Sequence, residues 1–476
     1  MDMLEDVLSE AHSARLIPTV ADTRKEERIV SILLATLSRV RPLAEFILER
    51  CDQRIGKSST VRSYTEIEFP SVDASSKDRP DGLLLVTTRK TRWTALLEAK
   101  IENAEIDADQ LLRYAEIARK FKLDAIITLS NQLVPLPTHL PYTIPKRVQN
   151  QVQLFHLSWI SILTQALLIL RNTQNIDPEQ AFLLEEMARY FEHPTSGVRR
   201  FDQMNPDWRA FVLGVRDGQQ FKRSSSEIEN TVTSWHQEER DVALILSRRI
   251  GQQVSIRRLS RKHQADPALR LRDACDTLIA SNELHSAFTI PNAASDLELT
   301  ADVQRRTISC SMKLNVPLDR QRARARINWL RRQLRDVDGE NIQVRAFWPK
   351  RAMATQASLS DVKTDSRCLE KDRSDMTPIG FEVVMIRDIA GRFSGRRTFI
   401  EDLEKLVPEF YEEVGQHLRP WTPPPPSIAK DDPIHEKESE VKDIQRKEDA
   451  SSEVEPSRSP SSMDRMDPGF SSDDRQ

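Results

Sequence analysis

Along the first third of the chain, hydrophobic positions switch between helical and strand periods. Residues 23–50 read as a helix: Ile29, Ile32, Leu33 and Leu37 share one face, Asp22 or Thr23 offers an N-cap, and Glu26 and Glu27 fill the first turn. Apolar runs of strand length follow at 61–69, 82–88 and 93–100, the last two separated by a short charged link at 89–92 that suits a hairpin. A helical pattern at 108–121 and an apolar strand at 124–130 come next, then a loop punctuated by Pro135, Pro137, Pro141 and Pro145. A strand at 152–159 leads into a strongly apolar helix at 160–170, which reads as core over one sheet face, with His156 as a structural residue.

Beyond this region the period changes twice. Residues 178–263 are helical in pattern, whereas 266–421 read as α+β, with strands within 297–314, at 342–348 and at 380–386, a basic helix at 320–335 and a closing helix at 398–418. Pro423 to Pro426 end the foldable pattern, and the Ser-, Pro- and charge-rich remainder buries too little to order itself. The expected segments are an N-terminal arm at 1–22, a first domain at 23–175, a helical connection at 176–265, an α+β domain at 266–421 and a disordered acidic tail at 422–476.

Composition narrows the class. A chain of 476 residues, 38% of them hydrophobic, has ample core for two or three domains. No apolar run reaches bilayer length, and the acidic start lacks a signal pattern, so a cytoplasmic location without a membrane partner is expected. The four cysteines have no CxxC spacing, which argues against a zinc site and a disulfide framework. Twelve glycines and no Walker A pattern leave no phosphate-cradling loop for ATP. The formal net charge of −3 conceals an asymmetry: residues 422–476 hold eight Lys/Arg against fourteen Asp/Glu, which leaves residues 1–421 at +3. A slightly basic folded part is compatible with nucleic-acid binding.

The chemistry concentrates at 79–114. If 82–88 and 93–100 pair as a hairpin turning near Lys90, Asp81 comes opposite the Glu98 to Lys100 end of the second strand. Glu98 and Lys100, two apart, project from one strand face. Carboxylates crowded together repel unless a cation joins them, and hard divalent ions such as Mg²⁺ prefer oxygen ligands.

Pro80-Asp81 followed after the hairpin by Glu98-Ala99-Lys100 resembles the signature of the PD-(D/E)XK nuclease superfamily. The expected order of helix, three strands, helix and strand is similar to that family's core. Glu27 resembles its first-helix acid, and Gln110 with Tyr114 resembles the QxxxY element of its exonuclease branch. The resemblance covers only the first third of the chain. It implies a restriction-endonuclease-like α/β fold with a mixed sheet flanked by helices. It also implies a hydrolase that cleaves phosphodiester bonds, with DNA as the expected substrate and RNA left open, and with Mg²⁺, or Mn²⁺ in its place, bound by Asp81, Glu98 and Glu27. Lys100 would position or deprotonate the attacking water, and Gln110 and Tyr114 would contact the DNA backbone or orient the site from its flank. A dimer is compatible with the sequence.

Plainer readings stand beside several of these residues. Glu27 can be a solvated first-turn acid, and Glu26 replaces it if the register shifts by one. Tyr114, in line with Ile117 and Phe121, can be a packed aromatic. Glu66 and Glu68 share a face of the preceding strand, which an exposed strand also explains. In the basic helix, Ile327, Leu330 and Leu334 face inward while Arg324, Arg331 and Arg335 form an outward stripe, which either grips phosphates or is paired with acids. His236 and Glu239 lack ligand spacing and read as surface residues of an amphipathic helix. The chain can accordingly also be a binding or interaction module that keeps the fold without cleavage.

Overall fold

In the computed structural model, which describes residues 3–17, 23–70, 77–149, 151–172, 176–339, 341–371, 373 and 375–423, the chain is mixed α/β with two principal sheets. Helix α1 (Met3–Glu10) and strand β1 (His12–Ser13) precede α2 (Lys25–Leu37) and α3 (Arg41–Arg50). The single helix expected over 23–50 is thus two. Pro42 has no N–H for the carbonyl four residues back, so the ladder stops, Val40 extends (φ −95°, ψ 96°), and Pro42 sits in the first turn of α3. Asp22 lies outside the described residues, and Thr23 does not cap α2, whose preceding residue is Arg24.

Strand β2 (Thr60–Thr65) is shorter than the expected 61–69, because Glu66 takes a left-handed conformation (φ 57°) and turns the chain into a small ribbon, β3 (Phe69–Pro70) with β4 (Lys77–Asp78). Then come β5 (Gly82–Thr87), β6 (Arg92–Ala99), α4 (Ala108–Phe121), β7 (Ala125–Ser130), α5 (Lys146–Gln149), β8 (Gln153–Ser158) and α6 (Trp159–Arg171). The first sheet has the order β1-β2-β5-β6-β7-β8. Strands β1 to β6 pair antiparallel, while β7 and β8 join in parallel after helical crossovers. Alternation sorts its side chains. Leu84 and Val86 pack toward α2, α3 and α6, whereas Leu83, Leu85 and Leu96 pack toward α4. Coverage on both faces explains why β5 and β6 are apolar nearly throughout.

Helices α7 (Pro178–Glu192), α8 (Trp208–Arg216) and α9 (Ser226–Ile250) follow, and they divide between two cores. Leu184 and Phe191 of α7 join the core of the first sheet, while Trp208 and Phe211 of α8 join that of the second. The second half contains β9 (Ser255–Ile256), α10 (Arg261–Ala265), α11 (Pro267–Ser281), β10 (Glu283–Thr289), β11 (Leu297–Asp302), β12 (Thr307–Asn315), α12 (Ala323–Gln333), β13 (Ile342–Phe347), β14 (Thr355–Ser358), α13 (Leu359–Thr364), α14 (Arg367–Glu370), β15 (Gly380–Asp388), α15 (Ala390–Phe393) and α16 (Arg396–Glu413). Its seven strands form an antiparallel sheet in the order β14-β13-β15-β12-β11-β10-β9. The described residues up to Thr422 form one compact unit, and α9 touches α6 on one side and α11 and α16 on others. The tail expected at 422–476 lies, but for its first two residues, outside the described residues. No described helix is long and apolar enough to cross a membrane.

Candidate active site

The hairpin pairs Gly82 with Leu97 and Thr87 with Arg92, so extending the register brings Asp81 opposite Glu98. Asp81 sits just before β5, and its Oδ2 accepts a hydrogen bond from the Ala99 amide at 2.8 Å. Its Oδ1 has no hydrogen-bond partner among the described residues. Glu98, only 2% exposed, shares a sheet face with Leu96 and is held at both oxygens. Lys100 Nζ donates to Oε1 at 2.7 Å, and the Tyr114 hydroxyl donates to Oε2 at 3.0 Å. Lys100 is fixed in turn, since its amide donates to Leu129 and its carbonyl accepts from the Trp159 indole at 2.9 Å.

The electrostatics are those of a crowded anionic site. Burial and then the neighbouring Glu98 carboxylate push the Asp81 carboxyl up to about 7, despite the Ala99 hydrogen bond and Lys100. Burial likewise raises Glu98, although Lys100 and Tyr114 favour its ionised form. For Lys100, burial works against the charge, but the hydrogen bond and charge of Glu98, then Glu26 and Asp81, outweigh it and raise its pKa. Burial and the Glu98 charge raise Tyr114 as well, so its phenol stays protonated and donating.

Both acids of the α2 first turn reach this region, by different routes. Glu26 Oε2 lies 3.6 Å from Lys100 Nζ. Glu27 pairs with Arg24 at 3.3 Å and, with Asp81, Arg15 and Arg79, lines a cleft of about 280 Å³. The first-helix contact to Lys100 therefore belongs to Glu26, one residue from the expected Glu27, while Glu27 remains on the cleft wall. Asp81, Glu98 and Glu26 thus gather around the Lys100 ammonium, whereas the acidic residues that, among the described residues, lie close enough together to share a metal ion are Glu238, Asp241 and Glu404.

Gln110 and Tyr114 turn toward Glu98. Tyr114 is 1% exposed, and the half-buried Gln110 donates its Nε2 hydrogen to the Tyr114 hydroxyl at 2.8 Å. Helix α4, capped by Asp107 and packed through Leu111, Ala115 and Ala118, lays this relay across Glu98. The expected orientation of the site from its flank is therefore the role their positions allow. Ala99, Trp159, Arg15 and Arg79 were not singled out from sequence. Their contributions come from backbone groups or from segments distant in the chain.

Other expectations change with the structure. Glu66 leaves the strand face it was to share with Glu68, and instead bonds His12 at 3.1 Å and faces Arg79 at 3.5 Å. Ile327 and Leu330 of α12 and Leu334 just past its end are buried as expected, but the basic stripe is broken. Arg324 is exposed, Arg331 is turned in to the Lys363 carbonyl, and Arg335 lies beyond the helix end, paired with Asp336. His156 is fully buried, its ring bonded to Thr128 and the Gln132 carbonyl, and burial lowers its pKa to about 4. Glu239 is not a surface residue. Buried on α9, it accepts from Arg270 and Ser286, while burial drives the pKa of His236 down. Elsewhere Glu238, Asp241 and Glu404 form an acidic group in which the Arg200 guanidinium lies 3.4 Å from Asp241 and 2.5 Å from Glu404, while both Glu238 oxygens are buried without a hydrogen-bond partner.

No family model, curated protein or solved structure matches the chain.

Proposed function

We propose that the chain is a metal-dependent nuclease of restriction-endonuclease-like fold that hydrolyses phosphodiester bonds in DNA. The observation behind this reading is the placement of Asp81 opposite Glu98, with Lys100 on the same strand face as Glu98 and with Asp81 also on the wall of an open cleft. The element order around it, α2, three antiparallel strands, α4 and the parallel strand β7, supports the same reading.

Asp81 and Glu98 would hold Mg²⁺ or Mn²⁺, with Glu26 or Glu27 as the third carboxylate. Held there, the metal would supply the acidification of a water and the neutralisation of charge building on the phosphate oxygens. The chain's own groups prepare that site. The Ala99 amide fixes one Asp81 oxygen and leaves the other available. Tyr114 and Gln110 hold the Glu98 carboxylate in one rotamer and favour its ionised form. Lys100, its pKa raised by Glu98, keeps its proton at neutral pH, so it contributes a fixed positive charge near the phosphate rather than a base. Exposed Arg324 and Arg335 are candidates for sequence-independent phosphate contacts.

The test is cleavage of supercoiled plasmid and linear duplex with Mg²⁺, Mn²⁺ or EDTA, comparing wild type with Lys100→Ala and Asp81→Ala. Metal-dependent cutting lost in both variants is expected. An absence of cutting on either substrate, or cutting unchanged by both substitutions, overturns the reading and leaves a binding module.

A further inference from the structure

We propose that Arg50 and Arg240 form a buried binding site for one small inorganic anion of chloride size. Arg240, on α9, is 5% exposed, and Arg50 lies in the last turn of α3. Both line one cavity of about 20 Å³ between α3, α6 and α9. The Nε atom of each is buried without a hydrogen-bond partner. Neither guanidinium has a carboxylate partner among the described residues. Arg50 stands over the Phe46 ring at 4.5 Å, a contact that stabilises a cation without neutralising it.

The nearest acids are otherwise occupied. Both oxygens of Glu239 are taken, one by Arg270 and the other by Ser286, and Glu49 is exposed. Two like charges therefore meet at one cavity, Arg240 buried and Arg50 partly exposed with its Nε buried, a costly arrangement unless something negative lies between them. Burial and then the Arg50 charge lower Arg240, in keeping with that deficit.

The remaining wall also favours an anion. Ser158 caps the thirteen-residue α6, so the positive end of that helix meets the cavity. Ser158 donates its hydroxyl to Ser161 at 2.7 Å, which leaves the Ser161 hydroxyl hydrogen to be given elsewhere. His156, also on the wall, has its ring nitrogens engaged with Thr128 and Gln132. The lining thus offers donors and positive charge but no carboxylate. A volume of about 20 Å³ is little more than the roughly 10–15 Å³ that one water needs, which selects a single-centre ion over a phosphate group. Water fits the space but leaves both charges uncompensated.

The experiment uses the full chain. Thermal unfolding is followed while sodium chloride is replaced stepwise by sodium gluconate at constant ionic strength, for wild type, Arg240→Met and Arg50→Met. Wild type is expected to show a saturable rise in Tm with chloride. The variants should lose that response and, in gluconate, equal or exceed wild type, because the removed charge had no partner. Crystals of wild type soaked in bromide supply a readout that does not depend on either variant folding, and an anomalous peak in the cavity is expected. Equal responses to chloride and gluconate in wild type, a chloride response kept by both variants, or a cavity holding water alone overturns the proposal.

Discussion

Tyr114→Phe isolates the contribution of the hydroxyl that holds Glu98. The ring packs between α4 and the sheet and remains in the variant, so the core keeps its volume. What is lost is the 3.0 Å hydrogen bond to a carboxylate that is 2% exposed, together with the acceptor of Gln110 and a 3.3 Å contact to the Arg79 carbonyl, neither of which touches the carboxylate. A hydrogen bond to a charged group is worth about 1.5–3 kcal/mol, which corresponds to roughly a tenfold to hundredfold loss of metal affinity, the range typical of outer ligand-supporting contacts. The pH dependence carries a sign. Tyr114 favours ionised Glu98, so without the hydroxyl the carboxyl keeps its proton to higher pH. Because a metal competes with that proton, the binding curve must move to higher pH. Calorimetric titration with Mn²⁺ between pH 5.5 and 8.5, together with plasmid cleavage at matched pH, measures both effects. Mn²⁺ affinity within about twofold of wild type and an unmoved pH profile would show that Tyr114 is only a packed aromatic, and the argument for its role would fail.

The Asp81 carboxyl supplies a second prediction, on metal-free stability. Its folded pKa of about 7 lies above an unfolded value of about 3.9, so the unfolded chain loses its proton first and wild-type stability falls as pH rises between the two. Asp81→Asn removes that loss, and its Tm relative to metal-free wild type should be higher at pH 8 than at pH 5; parallel Tm profiles across that range would contradict the assignment. A third prediction separates the arginines of the α12 region. Substituting exposed Arg324 and Arg335 by alanine should lower the salt slope of DNA binding by about 0.9 per phosphate contact removed, whereas Arg331→Ala should lower Tm instead, because its guanidinium bonds the Lys363 carbonyl. An unchanged slope in the double variant would remove this region from the DNA interface.

Local pattern made the centre of the site legible. Strands β5 and β6 are apolar runs joined by a short charged link, and hairpin geometry alone placed Asp81 opposite Glu98. Helix α4 was bounded by its own residues, with Asp107 as cap and Lys122 in the left-handed conformation that ends it. Pro42 was a readable break in the first helix that its apolar periodicity masked. The turn at Glu66 was less accessible, since nothing in a Thr-Glu-Ile-Glu run requires a positive φ. The choice between Glu26 and Glu27 depends on how α2 is rotated over the sheet, and the hydrogen bond from Tyr114 to Glu98 depends on where α4 crosses β6. Both are tertiary facts without a one-dimensional pattern.

Helix α9 shows why the middle of the chain resisted the same reading. Glu238, Glu239, Arg240 and Asp241 look like a solvent-facing run, yet all four are buried. Successive helical residues point about 100° apart, so four in a row span every side, and their burial means that α9 has no solvent face there. Each charge indicates what covers its side. Glu239 meets Arg270 of α11 and Ser286 of β10, Asp241 faces Arg200 with Glu404 of α16 beyond it, and Arg240 shares its cavity with Arg50 of α3. A segment whose composition suggests a hydrated connection between domains is instead the shared wall of two cores. Its charges are tolerated to the extent that partners from both halves of the chain arrive with them. Two places lack such a partner: both oxygens of Glu238 are buried without a hydrogen bond, and Arg240 shares its cavity with Arg50 and no carboxylate, so the positive charge on that side of α9 lies where an anion would offset it.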